Sequence, residues 1–78
     1  MSGVERKLLC NRLRMFRAAR GYSQLKVEER ARLTRGQYWR IENGYTTPTD
    51  AELRRIAKVL NITYDTLTGP ESTAAVAS

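Results

Sequence analysis

The sequence predicts an all-α protein, a compact bundle of five short helices, and three observations carry that prediction. Apolar residues recur at helical spacing along the body, and no stretch alternates as a half-buried strand does. Residues suited to open a helix (Ser23, Thr34, Thr49, Thr63) and to close one (Gly21, Gly44, Asn61) punctuate the chain at short intervals. The body, residues 7–68, is small enough that only one modest core fits.

The elements follow in order. Residues 1–6 are expected to be a flexible N-terminus. Leu9, Leu13 and Phe16 recur at i, i+4, i+7 and give the first helix one buried stripe, which Gly21 ends in a left-handed conformation. Ser23 caps a second helix over residues 23–31, with Val27 and Ala31 inward. Thr34 and Gln37 read as a capping box for a third helix over 34–43, whose apolar side is Tyr38 and Ile41. Thr49 and Glu52 form a second such box, and Leu53, Ile56, Ala57 and Leu60 give the fourth helix its stripe. Thr63 caps a last short helix ending near Leu67. Gly69-Pro70 then opens a small, polar stretch, 69–78, expected to be a disordered tail. The expected core is Leu13, Phe16, Leu33, Ile41, Leu53, Ile56 and Leu60.

Charge gives the first indication of function. The net charge is +6 and the isoelectric point about 10.1. Residues 1–47 hold eleven basic and four acidic side chains, whereas 48–78 hold three and four. A basic half points to a polyanionic partner, nucleic acid before a membrane surface. With no histidine and the single cysteine Cys10, a histidine-based triad is excluded, an internal disulfide is impossible, and no metal site or cofactor is expected. Cys10 reads as a small buried residue in a reducing, cytoplasmic setting. No nucleophile–base pair is evident and the carboxylates are scattered, so an enzyme is not expected; nor is a small-molecule ligand or a membrane partner.

Two short helices joined by about three residues, 23–31 and 34–43, make a helix-turn-helix pattern. Its residues are specific: Gly21-Tyr22-Ser23-Gln24, Leu33-Thr34, Tyr38, Glu42-Asn43-Gly44 and Pro48. The chain resembles the lambda-repressor-like (Xre/Cro) family of helix-turn-helix DNA-binding regulators. Leu13 with Phe16-Arg17 upstream, and Pro48-Thr49, Leu53, Ile56-Ala57-Lys58, Leu60-Asn61-Ile62 and Leu67 downstream, extend the likeness over residues 9–68 without gaps.

That resemblance implies a sequence-specific double-stranded DNA-binding regulator, expected to be a repressor. It reads the major groove with the helix over 34–43, as a homodimer on a pseudo-palindromic operator. Thr34, Arg35, Gly36, Gln37 and Arg40 fall where the family contacts bases. The chemistry suits them, since arginine pairs with guanine O6/N7, glutamine pairs with adenine, and Gly36 permits close approach. Ser23, Gln24, Trp39, Asn43, Tyr45, Thr46 and Thr47 fall where phosphates are gripped; Gln24 is also placed to brace the third helix. Trp39, where the family has a small residue, is expected half exposed, along the sugar-phosphate or stacked beneath Arg35 or Arg40. Arg17 and Glu42 are implied as a structural bridge, and Tyr64 and Leu67 as the dimer surface.

Two residues depart from the family pattern. Arg32 stands where a left-handed glycine is usual, and Glu28 where a small alanine lets the two helices approach. Glu28 is expected to lean outward, towards Arg32 or Arg35, or to open the angle between helices. A second functional reading is a protein-interaction module or antitoxin moiety using the same surface. Its mark would be an apolar groove beside the third helix.

Overall fold

The computed structural model describes residues 3–69. Its five helices are α1 (Gly3–Arg20), α2 (Gln24–Arg30), α3 (Gln37–Glu42), α4 (Asp50–Leu60) and α5 (Tyr64–Thr68), with no strand among the described residues. α1 begins at Gly3, so residues 3–6 are helical where a flexible lead was expected. Of the expected tail, residues 70–78 lie outside the described residues.

One core holds the helices together. Leu9, Leu13, Val27, Ala31, Tyr38, Ile41, Leu53, Ile56, Ala57, Leu60 and Leu67 form it. Phe16 and Leu33, expected inside, instead pack on its edge and keep part of their surface in water. Leu67 is fully buried, which corrects its assignment to a dimer surface. The five-residue α5 lies against α1 and α4, and Leu67 is the side chain it inserts there.

Local sequence sets the helix ends. Ser23, Thr49 and Thr63 each accept a backbone N–H from the following turn, and Thr49 with Glu52 completes a reciprocal capping box. Four helices close on a left-handed residue: Gly21 at φ 70°, Arg32 at 58°, Gly44 at 79° and Asn61 at 58°. In each case the next amide reaches back to a carbonyl five residues earlier, as Leu33 N–H does to Glu28. Arg32 thus keeps the geometry of the glycine it replaces and carries the strain of a Cβ there.

The start of α3 differs from the expected capping box. Thr34 precedes a turn, and the helix begins only after Gly36, whose φ is 78°. Gly36 offers no side-chain cap, so the first amides of α3 need an acceptor from elsewhere. Glu28 supplies one: its Oε2 accepts the Tyr38 N–H at 3.3 Å. Glu28 is therefore buried between α2 and α3 rather than leaning outward to Arg32 or Arg35.

Helix C-termini are closed by distant arginines. Arg20 donates from Nε to Leu60 O at 2.7 Å, Arg55 to Ala31 O at 2.8 Å, and Arg12 to Leu67 O at 3.1 Å. A cation on these carbonyls satisfies an orphan acceptor and the negative helix end together.

Replacing Arg32 by glycine removes the left-handed strain. Arg32→Gly should raise unfolding stability by about 0.5–1 kcal/mol, read as a higher urea midpoint, whereas Arg32→Ala, which keeps a Cβ, should gain nothing.

Candidate nucleic-acid interface

The geometry of α3 rests on one carboxylate. Glu42 is 1% exposed and takes four donors from three helices. Arg17 of α1 donates Nε to Oε2 at 2.7 Å and Nη2 to Oε1 at 3.0 Å. Gln24 of α2 donates Nε2 to Oε1 at 2.8 Å. The Tyr38 hydroxyl, one turn earlier on α3, donates to Oε2 at 2.7 Å. Burial pushes the Glu42 carboxyl up, but the hydrogen bonds from Arg17, Tyr38 and Gln24 outweigh it and hold the group below the usual carboxylate range. Burial and the same carboxylate raise the Tyr38 hydroxyl far above its ordinary value. Arg17 also donates to Tyr22 O at 2.9 Å, fixing the loop before α2.

A second link orients the start of α3. Gln37 accepts at Oε1 from the Thr34 N–H (2.9 Å) and hydroxyl (3.0 Å), while its Nε2 donates to Glu52. Glu52 Oε1 meanwhile accepts the Thr49 N–H at 2.9 Å. Both functional atoms of Gln37 are thus engaged within the chain. Pairing an adenine with both of them requires exchanging these bonds, although Nε2 keeps its second hydrogen.

The remaining base-reading candidates sit differently. Arg35 and Arg40 are exposed, and neither hydrogen-bonds another side chain among the described residues. The Arg40 guanidinium lies over Gly36, where a Cβ would come within 3.1 Å of Nη1. Glycine at 36 is therefore favoured by its left-handed backbone, whereas the exposed Arg40 guanidinium needs to shift only a few tenths of an ångström to admit a Cβ. Thr34 is exposed, but its hydroxyl is committed to Gln37.

Several phosphate-gripping candidates keep a donor free after their internal bonds are counted. The Ser23 hydroxyl accepts from Lys26 N–H at 3.0 Å and retains its own proton. Thr47 accepts from Arg6 Nη2 at 2.9 Å and likewise keeps its O–H. Gln24 retains the second hydrogen of its amide. Asn43 donates to Trp39 O at 2.9 Å, and its Oδ1 lies 3.5 Å from Arg14 Nη2, so it mainly ties the end of α3 to α1. Thr46 is exposed.

Trp39 is 48% exposed and stacks on Tyr45, 70% exposed, with ring centroids 5.3 Å apart. This aromatic pair replaces the expected stack on Arg35 or Arg40. The sequence reading missed it because the two rings meet only after Gly44 turns the chain.

Tyr64 donates to Asp50 Oδ1 at 2.7 Å, and the Arg54 guanidinium lies 4.3 Å from its ring centre. Cys10 is buried, with burial raising its thiol.

An α2–turn–α3 unit braced on α1 and presenting exposed arginines is a helix-turn-helix. The model of a helix-turn-helix family, the lambda-repressor and Xre-like group, matches residues 13–67, and the chain belongs to that family. No curated protein and no solved structure matches the chain. The family is one of DNA-binding regulators. No helix among the described residues is long and apolar enough to cross a membrane.

Because Glu42 titrates below its unfolded value, its contribution to stability is complete at neutral pH. It is lost as pH falls from the ordinary glutamate value of about 4.3 through the lower folded value. Glu42→Gln should cost about 3 kcal/mol or more at pH 7, since Arg17 loses its ionic partner. It should also flatten the acid limb of a stability–pH curve measured by thermal melting.

Proposed function

We propose that the protein is a sequence-specific regulator of transcription that reads double-stranded DNA in the major groove with α3 and the turn before it. The observation that carries this reading is the contrast on one face. Arg35 and Arg40 are exposed and uncommitted, while the helix beneath them is fixed by Glu42 to α1 and α2. Free guanidiniums on a fixed helix and on the turn before it suit bidentate recognition of guanine. The Ser23 and Thr47 hydroxyls and the spare Gln24 N–H flank them as phosphate donors. Occupying an operator is enough to block transcription, so repression is the role needing fewest further parts.

We place two copies on a pseudo-palindrome, because one short helix spans only a few base pairs. With Leu67 inside the core, the surface for the second copy is the α4–α5 cleft beside Ile62 and Tyr64, of about 690 Å3.

One observation favours the interaction-module reading. Leu25, 60% exposed, joins Leu33 and Trp39 along a groove between α2 and α3. Apolar contact with thymine methyls accounts for the same groove in a DNA-bound state. Replacing thymine by deoxyuridine in a selected operator separates the two: affinity should fall if these side chains face DNA and stay unchanged if they serve a protein.

Titration of selected and scrambled duplexes at two salt concentrations tests the main reading. Arg35→Ala should lose about 1–3 kcal/mol on the selected site and much less on the scrambled one. Gln24→Ala should weaken both duplexes, the selected one somewhat more because Glu42 loses one of its four donors, and leave the salt slope almost unchanged, since the residue is neutral. Equal losses on both duplexes with a flattened salt slope for Arg35→Ala would place that arginine on a phosphate and overturn its role as a reader. Sedimentation should find two chains per selected duplex.

A further inference from the structure

A second cationic site lies away from α3. The end of α2, the turn after it and the middle of α4 enclose an open cavity of about 470 Å3, lined by Arg30, Arg32, Arg55, Lys58 and Val59. Four of these five side chains are cations and none is an acid. Glu29, the acid nearest in sequence, lines the separate groove between α2 and α3. Glu52, one turn before Arg55 on α4, has its oxygens committed to Thr49 and Gln37.

Like charges crowd together at a cost unless something compensates, and two features show that this cluster is held in place. Arg55 spends its Nε–H on Ala31 O, which fixes the guanidinium plane and leaves both terminal amino groups free. Arg30 is steadied over the Tyr22 ring, 5.5 Å from its centre. The third feature is independent. Arg32 occupies a left-handed position, φ 58°, that glycine would fill without strain, and its side chain makes no hydrogen bond among the described residues. Strain retained at a residue that contributes no internal bond points to work done outside the fold. The α2 C-terminus contributes about half a negative charge, small against four cations, and Arg55 already covers its last carbonyl.

We infer that this cavity binds a multiply charged phosphate anion, such as the polyphosphate chain of a small molecule. Planar guanidiniums match phosphate oxygens in pairs, Lys58 adds a point charge, and the volume suits a small ligand. Val59 offers an apolar wall for the group that carries the phosphates. Occupation would bridge α2 and the turn to α4. The inference is independent of how α3 is used, because no residue of α3 lines the cavity.

The test is calorimetric titration of the full chain with inorganic tripolyphosphate, without DNA, at about 150 mM salt. The expected result is one site per chain, with orthophosphate binding much more weakly. Arg32→Gly and Lys58→Gln should each weaken tripolyphosphate binding about tenfold. Arg32→Gly relieves backbone strain, so a failure to fold will not mask its result. Lys7→Gln, which removes the same charge from α1, should leave binding intact. No saturation below about 1 mM, or equal losses in Lys7→Gln and Lys58→Gln, would overturn the site. A duplex titration distinguishes the other source of phosphate. If Arg32→Gly and Lys58→Gln lower duplex affinity while tripolyphosphate binding stays unmeasurable, the cluster is a backbone clamp and the free-anion site is wrong.

Discussion

The orientation of α3 depends on the Glu42 carboxylate. Two oxygens receive four donors from Arg17, Gln24 and Tyr38, so three helices converge on one buried charge. A buried ion pair contributes little net stability compared with a well-packed apolar alternative, because desolvation offsets most of the attraction. Its value here is directional. Apolar packing by Tyr38 and Ile41 would tolerate small rotations of α3, whereas fixed hydrogen bonds do not.

Arginine serves two purposes in this chain, and the net charge does not separate them. Arg12, Arg20 and Arg55 direct donors to carbonyls at the ends of α5, α4 and α2. Arg17 is bound to Glu42. These side chains still contribute to the long-range field that draws a polyanion, but their hydrogen-bonding capacity is partly used in holding short helices together. Helices of five to eleven residues gain little from their own backbone cooperativity, so such end contacts matter more than they would in long ones. Arg35 and Arg40 differ in lying outside that internal network.

The fold was legible where the determining partners lie within about four residues. Ser23, Thr49 and Thr63 as caps, and Gly21, Gly44 and Asn61 as left-handed ends, were read from local chemistry. The Arg17–Glu42 bridge was legible only through family likeness, and it closes as that likeness implied. The arginine caps were not legible, because their partners lie 24, 40 and 55 residues away and no local pattern marks them. The buried place of Glu28 was not legible, because a carboxylate at an alanine position is expected to turn to water. The missing fact was that Gly36 leaves α3 without its own cap, so a buried carboxylate has an amide to satisfy. Phe16 and Leu33 fit the helical period, but period alone does not say how far a stripe extends into the interior.

The bond between Gln37 and Glu52 joins the first turn of α3 to the capping box of α4. One carboxylate therefore serves two helix starts, and the side chain at 37, among the candidate readers, is also tied to the scaffold. This divides the surface for anyone redesigning specificity. Arg35 and Arg40, by contrast, carry no side-chain hydrogen bond among the described residues. A different residue at 37 would leave the Thr49–Glu52 box of α4 intact but cut the tie that carries the first turn of α3 onto it, so the entry of α3 and the frame of α4 are coupled through a single amide.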